Sequence, residues 1–212
     1  MKDISEIRIY YGYLLAGYES EILAEKFNLK METEAQYLKW TDNYRQEWEK
    51  YESKIIPALQ RALGVKFYRQ VIDVNCAPFF IPKSDPLIMG FKNLPEVFVD
   101  ELTHELCHVL LTDNNKLQIH SSNPGKRGDL IKLWTELFGD HDIGKLVHIP
   151  VQAMMKHIYI DVLKEPERLE RDIETSQTYG KVAYSGSWEY VEKHGYKQII
   201  KKLKSYYAEL SG

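Results

Sequence analysis

The 212-residue sequence predicts an α+β protein, dominated by helices, with a small mixed or antiparallel sheet directly before a helix that carries VDELTHELCHVL (Val99–Leu110). Three observations predict it. Apolar residues recur at helical spacing over most of the chain. One tract, from Phe67 to about Phe91, switches to β-branched and aromatic residues. That tract ends at a well-capped amphipathic helix.

Taken in order, Ile7, Tyr11, Leu14, Leu15, Tyr18 and Ile22 follow helical spacing and predict an amphipathic helix from Ile4 to about Phe27. A second helix is expected from Thr33 to about Leu63. Thr33-Glu34-Ala35-Gln36 resembles a capping box, Pro57 is a kink or break, and Gly64 is a stop. FYRQVIDVNCAPFFI, punctuated by Pro78, reads as one or two strands; KSDP is a turn and LIMGF a short strand. Asn93 then caps the next helix, Pro95 is tolerated in its first turn, and Phe98, Leu102, Leu106, Val109 and Leu110 form its apolar stripe. Beyond a polar loop, DLIKLWTELFG is a short helix stopped by Gly139. A helix near Leu146 to Leu163 needs Pro150 close to its first turn. Glu165 to about Thr178 is helical, YGKVAYSGS is loop, and Trp188 to about Leu210 is an amphipathic helix that can bend at Gly195. The expected organisation is an N-terminal helical region (1–64) packed on a core (65–212), together one compact domain.

Composition narrows the function. Hydrophobic residues are 44% and charged residues 28% of the chain, as in a soluble globular protein. A net charge of −3 offers no global electrostatic footprint for nucleic acid. The two cysteines, Cys76 and Cys107, form no C-x-x-C pair, which argues against a zinc ribbon or disulfide framework and fits a reducing cytoplasm. IYYGYLLAG is apolar, but Asp3 and Glu6 stand where a signal peptide needs basic residues. No apolar run reaches the roughly 20 residues of a membrane helix. The expectation is a cytoplasmic protein with no membrane partner.

The chemistry is concentrated in His104-Glu105-Leu106-Cys107-His108, an H-E-x-x-H motif. Residues four apart on a helix share a face, so His104 and His108 can offer two imidazoles to one metal ion. Glu105 lies about 100° round the helix from His104. There it faces the open coordination position and can take a proton from water held by the metal. The bland alternative is two polar histidines on a helix face.

Phe98 to Leu111, FVDELTHELCHVLL, resembles the zincin metallopeptidases. The resemblance is strong over about fifteen residues. It implies a zinc ion, His104 and His108 as ligands, Glu105 as general base, and an edge strand within Phe67–Phe91 that binds extended peptide. The glycine and histidine of the extended metzincin motif would fall at 111 and 114, where this chain has Leu111 and Asn114, so it is not a metzincin. Three residues compete as third ligand. His148 opens the apolar helix VHIPVQAMMKHIYI, 40 residues past His108, and is the assignment made here; its alternative is a capping or buried histidine. Glu136, with Asp140 four residues on, matches the gluzincin E-x-x-x-D pattern; a surface glutamate is its ordinary role. His120 lies where SprT-like proteases, which HELCH and IKLW resemble, take their third histidine, but Ser121 stands where that family has glycine.

The resulting expectation is a zinc-dependent hydrolase, a metallopeptidase acting on a peptide or protein. Two alternatives stand beside it: an inactive zincin-like binding or regulatory protein, and a SprT-like DNA-associated protease. The last would draw on Lys197, Lys201 and Lys204, which share a helix face; a solvated face is their simpler role.

Overall fold

The first element is a strand rather than the helix expected from Ile4 to Phe27. β1 spans Glu6–Tyr11, with Ile7 and Ile9 buried and Glu6, Arg8 and Tyr10 exposed. The period of two within EIRIYY decides the local structure, because it turns Ile7 and Ile9 to the core on one face of a sheet while the backbone pairs with a neighbouring strand. That neighbour is β2, Val71–Cys76, which runs parallel with Glu6 opposite Val71 and Tyr11 opposite Cys76. β2 pairs in parallel with β4, Leu87–Met89, and β3, Lys83–Ser84, pairs antiparallel with β4. The sheet is therefore mixed, in the order β1-β2-β4-β3. The computed structural model of the protein describes residues 5–91, 94–117, 125–178 and 182–210, and within these the side chains of all but 125–128, 176–178 and 182–183. Its fold class is α+β, with helices dominant. The expected cap Asn93 lies outside the described residues.

After β1 the Gly12 N–H donates to the Cys76 carbonyl at 2.9 Å, and a π-helical turn, Leu15–Glu19, leads into α1, Ser20–Phe27. α2, Glu34–Glu49, starts at Thr33, whose Oγ1 accepts from the Gln36 N–H at 3.2 Å. The single long helix expected to Leu63 is instead two. It breaks at Lys50–Tyr51, and Pro57 lies inside α3, Glu52–Leu63. Starting α3 at Glu52 places Pro57 in the second turn, where it costs the helix one backbone bond, to the Ser53 carbonyl. Gly64 (φ +71°) ends α3.

The chain forms two compact units. The first comprises Met1–Ser53 and Arg69–Val109. It holds the sheet, α1, α2 and most of α4, Pro95–Thr112. Ile72, Val74, Ile88, Met89, Phe98, Leu102 and Leu106 are buried in it. The Tyr44 ring stacks on Phe98 with centroids 4.3 Å apart, and Arg45 Nη2 donates to the Ile9 carbonyl at 2.8 Å, tying α2 to β1. The phenylalanine that begins the motif helix's apolar stripe is thus clamped by α2.

The second unit comprises Lys54–Tyr68 and Leu110–Gly212. α6, Ile143–His157, is packed by α5 (Gly125–Phe138), α8 (Val182–His194) and α9 (Tyr196–Glu209), and α7 (Pro166–Thr178) meets α8. α8 starts inside YGKVAYSGS, the stretch expected as loop. The small residues that suggested a loop let two helices approach closely. A Cβ on Gly186 would lie 3.5 Å from the Lys145 side chain, and Ser187 is wholly buried. α6 starts at Ile143, three residues earlier than expected, so Pro150 sits in its third turn. It runs on as a π-helical segment, Ile158–Leu163, closed by Lys164 in the left-handed region. Gly195 (φ +79°) separates α8 from α9. The buried Tyr207 hydroxyl donates to the Leu111 carbonyl at 2.5 Å. Among the described residues, no helix is long and apolar enough to cross a membrane.

Candidate metal centre

α4 places His104 and His108 one turn apart, as spacing requires. Their Nε2 atoms are 3.2 Å apart and their rings meet at 64°. A tetrahedral zinc ion with nitrogen ligands at 2.0–2.1 Å holds those nitrogens about 3.3 Å apart. The helix therefore already presents the separation that such an ion uses. The helix is also rigid here: Leu102, Leu106 and Cys107 are wholly buried, and Thr103 Oγ1 donates to the Val99 carbonyl at 2.7 Å.

His148 stands near the start of α6. Asp142 caps that helix by accepting from the Lys145 N–H at 2.9 Å. One turn before His148, the Gly144 carbonyl lies 2.6 Å from its Nδ1. A carbonyl only accepts, so Nδ1 carries the proton and Nε2 keeps its lone pair. This tautomer is the one a metal-ligating histidine uses when its other nitrogen is tied to a backbone carbonyl. Tyr184, on α8, lies against the imidazole with ring centroids 4.0 Å apart. His104, His108 and His148 each offer a ligand atom, and these atoms lie within 4.8 Å of one another. Three imidazoles at that separation form a donor set that could hold a metal ion, and imidazole suits zinc as it does copper, iron and nickel.

Glu105 is 7% exposed. Burial, with a smaller contribution from the Glu101 charge, pushes its carboxyl up to about 8. Glu101 is one turn before Glu105 and three residues before His104, so the helix face reads Glu-x-x-His-Glu-x-x-His. Sequence reasoning passed over Glu101, although the i−3 and i−4 spacing was there to be read. Tyr184 was passed over for another reason: it lies in the segment expected as loop.

The other candidates fall elsewhere. Glu136 is exposed on α5, in a shallow surface depression with Lys201, Lys202 and Tyr206, and is not in the histidine group. Asp140 is exposed as well. His120 lies outside the described residues. His157 Nδ1 is 3.0 Å from Asp161, which also accepts from the Tyr196 hydroxyl at 2.9 Å. His141 and His194 both pack on the Tyr190 ring. Three of the α9 lysines make contacts within the chain. Lys197 Nζ is 3.5 Å from Asp161, and Lys202 and Lys204 donate to the carbonyls of Leu137 and Arg61.

No protein family, no curated protein and no solved structure matches the chain.

Proposed function

We propose that the chain is a zincin-like metallopeptidase, with zinc held by His104, His108 and His148. The observation that carries the reading is the approach of three imidazole ligand atoms to within 4.8 Å, in a chain whose motif also supplies Glu105. Zinc bound there would act as a Lewis acid and bring the pKa of a coordinated water to about 7. The protein's own part is positional. α4 fixes two ligands by its pitch, and the Gly144 carbonyl fixes the tautomer of the third. Glu105, adjacent to His104 in sequence, takes a proton from the attacking water and delivers it to the leaving nitrogen. Burial alone holds the Glu105 carboxyl protonated near neutral pH, and the positive charge of zinc bound beside it would return it to the carboxylate form that the transfer needs. Within Phe67–Phe91 the edge strand is β3, which would offer its free side to an extended peptide.

The test pairs zinc stoichiometry with cleavage of a denatured protein substrate, in wild type and Glu105→Gln. The expected result is one zinc per chain in both, with turnover lost in the variant by about 10²-fold or more. Undiminished turnover in Glu105→Gln would remove the carboxylate from the mechanism. A second reading, a metal-holding scaffold without turnover, is favoured by the low exposure of Glu105. Tight zinc with no cleavage in wild type would establish it.

A further inference from the structure

The helical segment that follows β1 is packed inside out. From Leu15 to Phe27 the buried residues are the small ones, Ala16, Ser20 and Ala24, spaced four apart. Ser20 Oγ donates to the Pro78 carbonyl at 2.9 Å. The large apolar residues, also spaced four apart, point to solvent: Leu14 is 91% exposed, Tyr18 73% and Ile22 48%. Tyr13, just before them, is 58% exposed. Small residues inside let the helix lie close to the loop after β2. The large side chains leave most of their surface outside the chain's own packing, and a large exposed apolar stripe of this kind marks an interaction surface.

We propose that this stripe is the interface between two copies of the chain, packed antiparallel about a two-fold axis near Ile22. The area supports a second copy. Tyrosine side chains bring about 150–250 Å² each when buried, so the four residues at these exposures present on the order of 600 Å². The charged flanks complete the roughly 800 Å² per partner of a standard interface. The charge pattern supports the orientation. Glu19 and Lys26 are exposed, seven residues apart, and lie on one flank of Ile22, at i−3 and i+4. An antiparallel pair centred between residues 22 and 23 sets each Glu19 opposite the Lys26 of the other copy. A lipid surface is disfavoured, because the flanks carry Glu19, Glu21 and Glu25 against Lys26, where an interfacial helix carries excess basic residues.

The experiment is sedimentation of the full chain up to about 100 μM, a range in which an interface of this size is populated, for wild type, Tyr18→Glu and Ile22→Glu. Both positions are exposed and far in sequence from the histidine group, so unchanged circular dichroism and zinc binding serve as the folding control. A dimeric wild type is expected. In each variant the half-dissociation concentration should rise at least about 30-fold, the effect of removing one hot spot. Cross-linking tests the register, since Cys76 and Cys107 are both buried. Mild oxidation should join Ile22→Cys chains, which meet at the axis. It should not join Leu14→Cys chains, which are about 25 Å apart along it. A wild type that stays monomeric, variants that remain dimeric, or equal cross-linking at both positions would overturn the proposal.

Discussion

Replacing His148 with alanine should weaken zinc binding by about two to three orders of magnitude. Structural zinc sites release about 10–16 kcal/mol over four ligands, or about 2.5–4 kcal/mol per ligand. At about 1.4 kcal/mol per factor of ten, one lost imidazole is worth roughly 10²–10³ in affinity. The Nδ1–Gly144 bond raises the expectation towards the upper end, because a pre-set tautomer and ring orientation favour the bound state. Melting curves read this without any assay of activity. Zinc at about 100 times the wild-type dissociation constant stabilises by about 2.7 kcal/mol, or roughly 5–10 °C for a chain of this size. The same concentration reaches at most about the dissociation constant of His148→Ala, so its melting point should rise by about 1 °C over its own apo form. Glu136→Ala, altered at an exposed site on α5, should match wild type. A full zinc-induced shift in His148→Ala, or its loss in Glu136→Ala, would refute the ligand assignment.

Two further outcomes follow from the fold. A Cβ at Gly90, just past β4, would stand 2.1 Å from the Phe80 carbonyl oxygen, and backbone cannot swing aside as a side chain can. Gly90→Ala should therefore cost about 3 kcal/mol or more, read as a lowered urea midpoint; a neutral result would show that the 77–90 connection adjusts freely. Asp161 gives a pH signature. Burial acts to raise its pKa, but hydrogen bonds from His157 and Tyr196 and the Lys197 charge outweigh it and leave the pKa below the ordinary 3.8. The folded pKa is depressed, so this contribution is complete above about pH 4 and fades as pH falls through the folded value. Wild type should exceed Asp161→Asn by up to about 1 kcal/mol at pH 7, given the partial exposure, with the gap narrowing as the pH falls below the ordinary carboxylate range. A gap that widens on acidification would reverse the assignment.

The motif helix was legible in the sequence because its signals agree. Pro95 falls at the start, an apolar stripe runs through Phe98, Leu102 and Leu106, and two histidines are four apart. The stops at Gly64 and Gly139 were legible for the same reason: each takes a positive φ that only glycine adopts at little cost; Gly195, expected as a bend within one helix, has the same φ sign and separates two. The N-terminal segment misled because periodicity tells which residues share a face and not which face is buried. Leu14, Tyr18 and Ile22 form a perfect helical set, yet Ala16, Ser20 and Ala24, equally periodic, are the set turned inward. The third member of the histidine group could be narrowed to candidates and no further, because His148 lies 40 residues past His108 and no local spacing links them. Tyr184 escaped because Gly186 and Ser187 look like loop until helix-to-helix approach is considered.

The parallel pairing of β1 with β2 has a consequence for how the chain is made. Glu6 meets Val71, so the first strand waits for 65 further residues before its partner exists. At about 5–20 residues per second of synthesis, the wait is about 3–13 s. During it Ile7 and Ile9 have no sheet to enter, and the outward Leu14, Tyr18 and Ile22 follow directly behind them. The nascent chain is most open to wrong association early, well before the motif helix has been synthesised. Production of the protein should therefore depend on translation speed and on chaperone capacity more than the stability of the finished fold would suggest.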